Sequence, residues 1–228
     1  LAWDQATGLL KVTVLALGGA GKTGETMTVD LGGGESLELV WIEPGSFMMG
    51  SNNGDNDEKP VREVTLTKGF WMGKYEVTQG QWERVMGNNP SYFKGVRNPV
   101  ERVSWDNCQE FIRKLNALDG GRGPALSAVE GTPRAGLFRL PTEAEWEYAC
   151  RAGTTGDYAG NLAEMGWYDD NSGNTTHPVG QKKANARGLY DMHGNVWEWC
   201  QDWYQNSYSG LVNTDPTGPS AGECRVVR

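Results

Sequence analysis

The sequence lacks the features that mark several classes of protein. No apolar run approaches the ~18 residues that a membrane-spanning helix needs, and the longest candidate, residues 12–17, suits a single strand. Histidine occurs only at His177 and His193, which argues against a zinc site built from several imidazoles. The cysteines show no Cys-x-x-Cys spacing and are too few for a disulfide scaffold. They are Cys108, Cys150, Cys200 and Cys224.

Positive charge is also scarce. The chain has 21 Lys and Arg against 29 Asp and Glu, so its formal net charge at pH 7 is −8. An acidic chain without a basic cluster is a poor match for a phosphate backbone or an anionic membrane surface. The sequence therefore predicts no nucleic-acid partner and no membrane span.

Glycine and tryptophan are abundant instead. The 228 residues include 32 glycines, about twice the typical share, and 10 tryptophans. Large aromatic side chains in a Gly-rich chain indicate a loop-rich fold that is pinned by buried indoles. The length fits one large domain with a core of its own. We interpret residues 1–36 as an N-terminal extension or linker and residues 37–228 as one continuous domain.

Capping residues predict three short helices. At Thr78 and Thr142, a Gln or Glu stands three residues further on, which is the arrangement of a capping box. Ser104 opens the third helix, whose apolar residues recur with a helical period. Strands are predicted at residues 37–42 and 61–66. A segment rich in Gly, Pro and Ala, residues 119–136, is predicted to be a flexible surface insertion.

Two stretches of the sequence resemble ligand-binding loops. Residues 19–24 match both a Gly-x-Gly-x-x-Gly pattern and the end of a phosphate-binding loop, but either one needs a helix directly afterwards. The residues that follow are β-like, so we interpret the stretch as a turn. Residues 52–58 are rich in oxygen ligands but lack the glycine and glutamate spacing of an EF-hand, which favours a solvated acidic loop.

The segment 188–203 carries the strongest chemical signal. From Val196 the side chains alternate, and the indoles are predicted to bury one face while Glu198 lies on the other beside Cys200. A carboxylate there needs compensation, and a hard cation would supply it. Asp191, Glu198 and the carbonyls of the turn at residues 194–196 could bind Ca²⁺. A hydrogen-bonded turn without metal is the alternative, and the spacing alone does not decide between them.

Several segments, in order and at this spacing, resemble the formylglycine-generating enzyme family, whose members are also called sulfatase-modifying factor domains. The resemblance covers residues 38–228, and RLPTEAEWEYA and GLYDMHGNVWEW are its most specific stretches. It implies an α+β fold related to C-type lectins, rich in loops, with little regular secondary structure and with bound calcium. The matching segments are residues 41–50, 58–60, 73–78, 99–105, 139–147 and 188–203.

The resemblance also implies particular metal ligands. It maps one calcium site onto four residues, two of them through their backbone carbonyls. They are Asp191, Gly194, Val196 and Glu198. A second family site uses an asparagine and the carbonyl of the next residue, for which Asn171 and Ser172 are the counterparts. The loop from residue 171 to 177 is short here, and the family's later aspartate ligand has no clear match.

Enzymes of this family oxidise a sulfatase cysteine to formylglycine with O₂ and with copper held by a cysteine pair, a soft-ligand site. That pair belongs to a C-terminal segment that would begin near residues 225–228. Cys200 and Cys224 do not fall at its positions, and Cys150 matches a position that is disulfide-bonded in some members. We therefore nominate no catalytic or cofactor-binding residue, expect copper only with that further segment, and expect this chain alone to be inactive.

The resemblance leaves two functions open. In the first, the parent protein is a copper-dependent oxidase that acts on a sulfatase peptide. In the second, a calcium-stabilised, lectin-like module binds a ligand or another protein without catalysis. No signal peptide can be recognised, and an extracytoplasmic or secreted location is favoured.

Overall fold

The computed structural model describes the backbone at residues 8–9 and 13–15, and the full chain at residues 21–118 and 138–228. The surface insertion expected at 119–136 lies outside the described residues. The strands are β1 (Gly8–Leu9), β2 (Thr13–Leu15), β3 (Thr26–Gly32), β4 (Glu35–Ile42), β5 (Gly45–Met49), β6 (Arg62–Leu66), β7 (Phe70–Gly73), β8 (Phe138–Arg139), β9 (Trp197–Trp203) and β10 (Arg225–Val227). The helices are α1 (Gln79–Met86), α2 (Trp105–Ala117), α3 (Glu143–Arg151) and α4 (Leu162–Met165), with one 3₁₀ turn at Asn56–Glu58.

The strands form three short sheets rather than one large one. The largest has the order β3-β4-β7-β2-β8, and its neighbouring strands are antiparallel. β5 and β6 form a separate hairpin. In the third sheet β9 lies between β1, which is parallel to it, and β10, which is antiparallel. The α+β, loop-rich architecture that we expected is confirmed.

The strand β3 extends the domain toward the N-terminus. Its residues pair with β4 from Thr26 opposite Val40 to Gly32 opposite Glu35. Val29 and Leu31 on this strand are buried in the core. The end of the segment that we interpreted as an extension thus contributes a strand to the main sheet. The glycine-rich stretch before it leads into this strand and not into a helix, which is inconsistent with a phosphate-binding loop.

The three helices begin where the capping residues predict. Thr78, Ser104 and Thr142 each accept a hydrogen bond from the backbone three residues further on, and each capping box is closed in both directions. α1 ends at Gly87, whose φ of 80° is the left-handed conformation that stops a helix. Among the described residues, no helix is long and apolar enough to cross a membrane.

Two clusters of buried side chains form the core. The first, which we call the α2 core, packs helices α1 and α2 against β3 and β4, and Trp82 and Phe111 stack at its centre with ring centroids 5.1 Å apart. The second, the α3 core, packs α3 against β5, β6, β7 and β9. Helices α1, α2 and α3 thus each bury apolar side chains in one of the two clusters, and β9 lies between the clusters.

The alternation predicted for β9 is confirmed, but the assignment of its faces was wrong. Glu198, Cys200 and Asp202 form the fully buried face, whereas the indoles are half-buried and Trp197 is 47% exposed. The polar face packs on α3, which supplies hydrogen-bond donors. On the other face, Trp199 donates its Nε1–H to the carbonyl of Val103, which precedes α2. Tryptophan favours such half-buried positions because its N–H needs a partner.

Candidate functional site

A cleft of about 820 Å³ opens beside the turn that precedes β9. Five of the six residues that we predicted as metal ligands line it. They are Asp191, Gly194, Val196, Glu198 and Ser172. Its walls are largely aromatic, and we call it the aromatic cleft. The aromatic residues are Phe93, Trp146, Tyr158, Trp167, Tyr168 and Trp197.

A second cleft of about 1100 Å³ adjoins the first. Trp146, Tyr158, His193 and Arg228 line both, so the two clefts open side by side across these residues. Tyr158 is 49% exposed, and its ring packs edge-on against His193 with centroids 5.6 Å apart. We call the two adjoining clefts together the groove.

The turn at residues 191–196 owes its shape to backbone conformations that few residues adopt. Asp191 has a φ of 57° and Asn195 a φ of 74°, both in the left-handed region. Gly194 has a φ of 150°, and a Cβ there would lie 2.1 Å from the carbonyl oxygen of Trp167. Only glycine allows the turn to approach the neighbouring backbone this closely.

Two carboxylates are almost completely buried at this turn. Asp191 is 2% exposed and accepts a hydrogen bond from the N–H of Gly180 at 2.7 Å. Glu198 is 1% exposed and accepts one from Nε1 of Trp146 at 2.7 Å. Burying negative charge is costly unless it is compensated.

The donor set fits a hard cation. The described residues contain no group of three His, Cys, Asp or Glu side chains that could hold a metal ion. The predicted calcium site does not require three such side chains, because it combines the two carboxylates of Asp191 and Glu198 with the backbone carbonyls of Gly194 and Val196. Oxygen ligands of this mixed kind are those that Ca²⁺ prefers.

Asn195 fixes the turn, although the sequence analysis did not single it out. Its side-chain oxygen accepts from the N–H of His177 at 2.9 Å. Its amide donates to the carbonyl of His177 at 3.1 Å and to Glu76 at 3.0 Å. Its own N–H donates to the carbonyl of Trp167 at 2.7 Å. An asparagine after a glycine is a turn signal, but its three distant partners could not be read from that.

Asn171 and Ser172 make hydrogen bonds within their own loop. Asn171 accepts from the N–H of Tyr168 at 2.8 Å and donates to the carbonyl of Gly166 at 3.0 Å. The carbonyl of Ser172 lies 2.8 Å from Nε2 of His177. Ser172 lines the aromatic cleft, and Asn171 precedes it without lining it.

A buried ionic cluster lies next to the groove. Arg228 contacts Glu147 at 2.5 Å, Glu143 at 3.1 Å and the hydroxyl of Tyr208 at 2.7 Å. Burial raises the pKa of Glu143, and the neighbouring Arg228 counteracts that shift only in part. Glu147 also pairs with Arg151 at 2.7 Å. The sequence analysis missed this cluster because its members are far apart along the chain.

Asp202 lies at the N-terminus of α3, where it accepts the N–H of Glu143 at 2.9 Å. Burial raises its pKa from 3.8 to about 7, although that hydrogen bond acts in the opposite direction. This carboxyl group therefore changes its charge near neutral pH.

The cysteines are free thiols. Burial raises the pKa of both Cys108 and Cys200, so these two groups stay protonated. The thiol of Cys150 lies 3.4 Å from the carbonyl of Met192. Cys224 is exposed.

The loop-rich α+β fold agrees with the one that the motif resemblance to the formylglycine-generating enzyme family implied. A family model described as "Sulfatase-modifying factor enzyme 1-like domain" matches residues 32–228. The chain belongs to this family, as the resemblance of its motifs indicated.

Individual relatives differ in what they are called. The chain is 35% identical to "Chaperone protein LppX" of Paenibacillus barcinonensis, over 96% of this chain and 97% of that protein. It is 31% identical to the formylglycine-generating enzyme of Mycobacterium tuberculosis, over 71% of this chain and 73% of the enzyme. It is 36% identical to the serine/threonine-protein kinase pkn1 of Chlamydia caviae, over 84% of this chain but only 32% of the kinase.

A solved structure confirms the fold. "Treponema denticola variable protein 1" superposes with a TM-score of 0.74 at 34% identity, over 89% of this chain and 86% of that one. Family and fold are thus shown, while the names of the relatives cover several activities.

Proposed function

We propose that this chain is a polypeptide-binding module whose ligand lies in the groove formed by the two clefts. The observation that carries the proposal is that the two clefts adjoin and share Trp146, Tyr158 and His193 in their lining. Two large aromatic residues, Trp197 and Tyr158, are about half-exposed on its walls. Exposed aromatic side chains in a long groove suit an extended chain, which they contact at successive side chains.

The names of the relatives support a polypeptide ligand. LppX, which aligns along nearly its whole length, is named a chaperone. The family itself is named for a factor that modifies sulfatases. Chaperones as a class act on other proteins, and the family name refers to sulfatases, which are proteins; a sulfatase peptide is one ligand of this class.

The binding proposal is tested with an array of 15-residue peptides, followed by fluorescence anisotropy with a labelled peptide that binds. Trp197→Ala and Tyr158→Ala should each weaken binding at least about tenfold, because each removes a large aromatic contact. Tyr92→Ala is the matched control, since Tyr92 is 63% exposed and lines neither cleft. Equal affinity of Trp197→Ala and the unmodified chain would contradict the proposal, as would an array without a single binding peptide.

A second candidate function is oxidation of a cysteine to formylglycine, which the enzymes of this name favour. Copper(I) chemistry needs a pair of thiolates. Two of the four cysteines, Cys108 and Cys200, are buried and have a raised pKa, so they do not supply such a pair. We therefore expect no aldehyde by mass spectrometry when residues 1–228 are incubated with copper, O₂ and a cysteine-containing sulfatase peptide. Aldehyde formation would favour the oxidase.

Calcium is the cofactor that we propose for the turn. Its ligands would be Asp191, Gly194, Val196 and Glu198, and its charge would offset that of the two buried carboxylates. A hundred-fold excess of calcium over its Kd should then raise Tm by about 5–10 °C. Glu198→Gln keeps an acceptor for Trp146 but removes the charge, so it should abolish this rise. Glu83→Gln, at an exposed position on α1, is the control and should respond like the unmodified chain.

A further inference from the structure

The loop at residues 166–177 uses its amide groups internally. The side-chain oxygen of Asn171 accepts the N–H of Tyr168 at 2.8 Å, and its side-chain nitrogen donates to the carbonyl of Gly166 at 3.0 Å. Both ends of this amide are therefore engaged by the backbone of the same loop. These two backbone contacts hold the side chain in place without a ligand.

An imidazole already contacts the carbonyl oxygen that the second calcium site would use. The carbonyl of Ser172 is 2.8 Å from Nε2 of His177. A carbonyl oxygen only accepts, so Nε2 must carry the proton and donate it. The N–H group of the ring thus supplies the partial positive charge that a metal ion would supply to this oxygen.

The charges around the loop disfavour a divalent cation. Residues 171–177 contain no carboxylate, and Asp169 and Asp170 just before them are exposed. The ring of His177 stacks on one face of Trp167 at 3.8 Å, and Nζ of Lys182 lies 4.0 Å from the centroid of the same indole. Calcium sites normally contain several carboxylate oxygens, and a nearby ammonium group opposes a second cation.

His177 also joins this loop to the turn at residues 191–196. Its backbone N–H and carbonyl both bond to the side chain of Asn195, at 2.9 and 3.1 Å. The ring of His177 therefore makes a hydrogen bond within its own loop, while the backbone of His177 makes two hydrogen bonds to the neighbouring turn. Trp167 and Tyr168, which line the aromatic cleft, are fixed by the same contacts.

We propose that His177 replaces the second calcium ion in this chain, and that Asn171 and Ser172 bind no metal. The inference does not depend on the function of the groove, nor on whether the first site at Asp191 and Glu198 is occupied. It predicts that the loop at residues 166–177 keeps the same hydrogen bonds with and without calcium.

The test combines calcium counting with thermal unfolding. Calcium bound per chain is measured by equilibrium dialysis for the unmodified protein and for Asn171→Ala, and the two values should be equal. In excess EDTA, His177→Ala should lower Tm by about 4 °C, because a stacked ring and a hydrogen bond are lost. His177→Gln should lower it less, since a glutamine amide N–H can reach the carbonyl of Ser172.

The possible outcomes separate the two calcium claims. Loss of one bound calcium in Asn171→Ala, or a His177→Ala protein as stable in EDTA as the unmodified chain, would overturn the inference. A chain that binds no calcium at all, and in which His177→Ala is still destabilised in EDTA more than His177→Gln, refutes the first site but supports the role of His177.

Discussion

The α2 core and the α3 core differ in the kind of side chain that they bury. The buried side chains of α2 itself are apolar, and its Phe111 stacks in parallel on Trp82 at the centre of the cluster. Around α3, buried Glu147, Asp202 and Glu198 lie among the apolar side chains. Both regions have β9 as a neighbour.

The stability of the two regions should therefore depend on solution conditions to different degrees. Buried apolar side chains do not titrate, so the free energy that they contribute is insensitive to pH. Buried carboxylates are stable only with their partners, so the α3 core responds to pH and to loss of a counter-ion. The following variants test this contrast, from the largest expected effect to the smallest.

Phe111→Ala should have the largest effect and should not depend on pH. Removing a completely buried ring leaves a cavity in the α2 core and costs about 3–5 kcal/mol. Urea unfolding at pH 5 and at pH 8 measures the loss. A cost that differed between the two pH values would mean that the apolar region is coupled to the charged one.

Arg228→Met should cost about 3–5 kcal/mol at neutral pH, because it leaves Glu143 and Glu147 without their shared cation. The cost should shrink on acidification, since protonated carboxyl groups need no counter-ion. Urea unfolding across the same pH series measures it. If the cost were constant across the series, Arg228 would contribute mainly by packing.

Asp202→Asn should change the pH dependence of stability. Because the folded-state pKa of Asp202 is about 7 and its ordinary value is 3.8, the folded chain holds this proton more tightly. Its contribution is fully present below pH 4 and is lost as the pH rises through 7, at up to about 1.4 kcal/mol per pH unit. Asparagine keeps the acceptor for the N–H of Glu143 and does not titrate. The variant should therefore be more stable than the unmodified chain at pH 8, and a parallel pH profile would argue against a raised pKa.

Arg225→Ala should have the smallest effect of the four. The guanidinium lies 3.4 Å from the ring centroid of Trp203 and 3.9 Å from that of Trp105, between β9 and α2. Losing both contacts should cost about 1–2 kcal/mol. Arg225→Lys should recover only part of this, because an ammonium group does not stack as a plane. Full recovery by lysine would show that charge, and not stacking, joins the two regions.

Local chemistry was predictable from the sequence. The helix starts at Thr78, Ser104 and Thr142 follow from residues within four positions of one another, and the structure places them as expected. The sequence analysis grouped Asp191 with Glu198 because they belong to one turn and the strand that follows it, and the structure places both in the lining of the same cleft.

Contacts between distant segments were not predictable in the same way. The alternation of β9 indicated two faces, but which face is sealed depends on α3, whose Trp146 and Glu143 lie 52 and 59 positions before their partners in β9. Arg228 and Glu147 are 81 positions apart. No sequence pattern indicated the role of the His177 ring, because that role depends on how the loop folds back onto Ser172.

The close approach at Gly194 has a consequence for how the groove can diversify. The turn meets the carbonyl of Trp167 through main-chain atoms, so the spacing between these two walls is set by the backbone and not by side-chain size. Replacing Trp197 or Tyr158 on the rim should change the side chains that the cleft presents without altering that spacing. The backbone frame can therefore stay constant while the rim side chains vary.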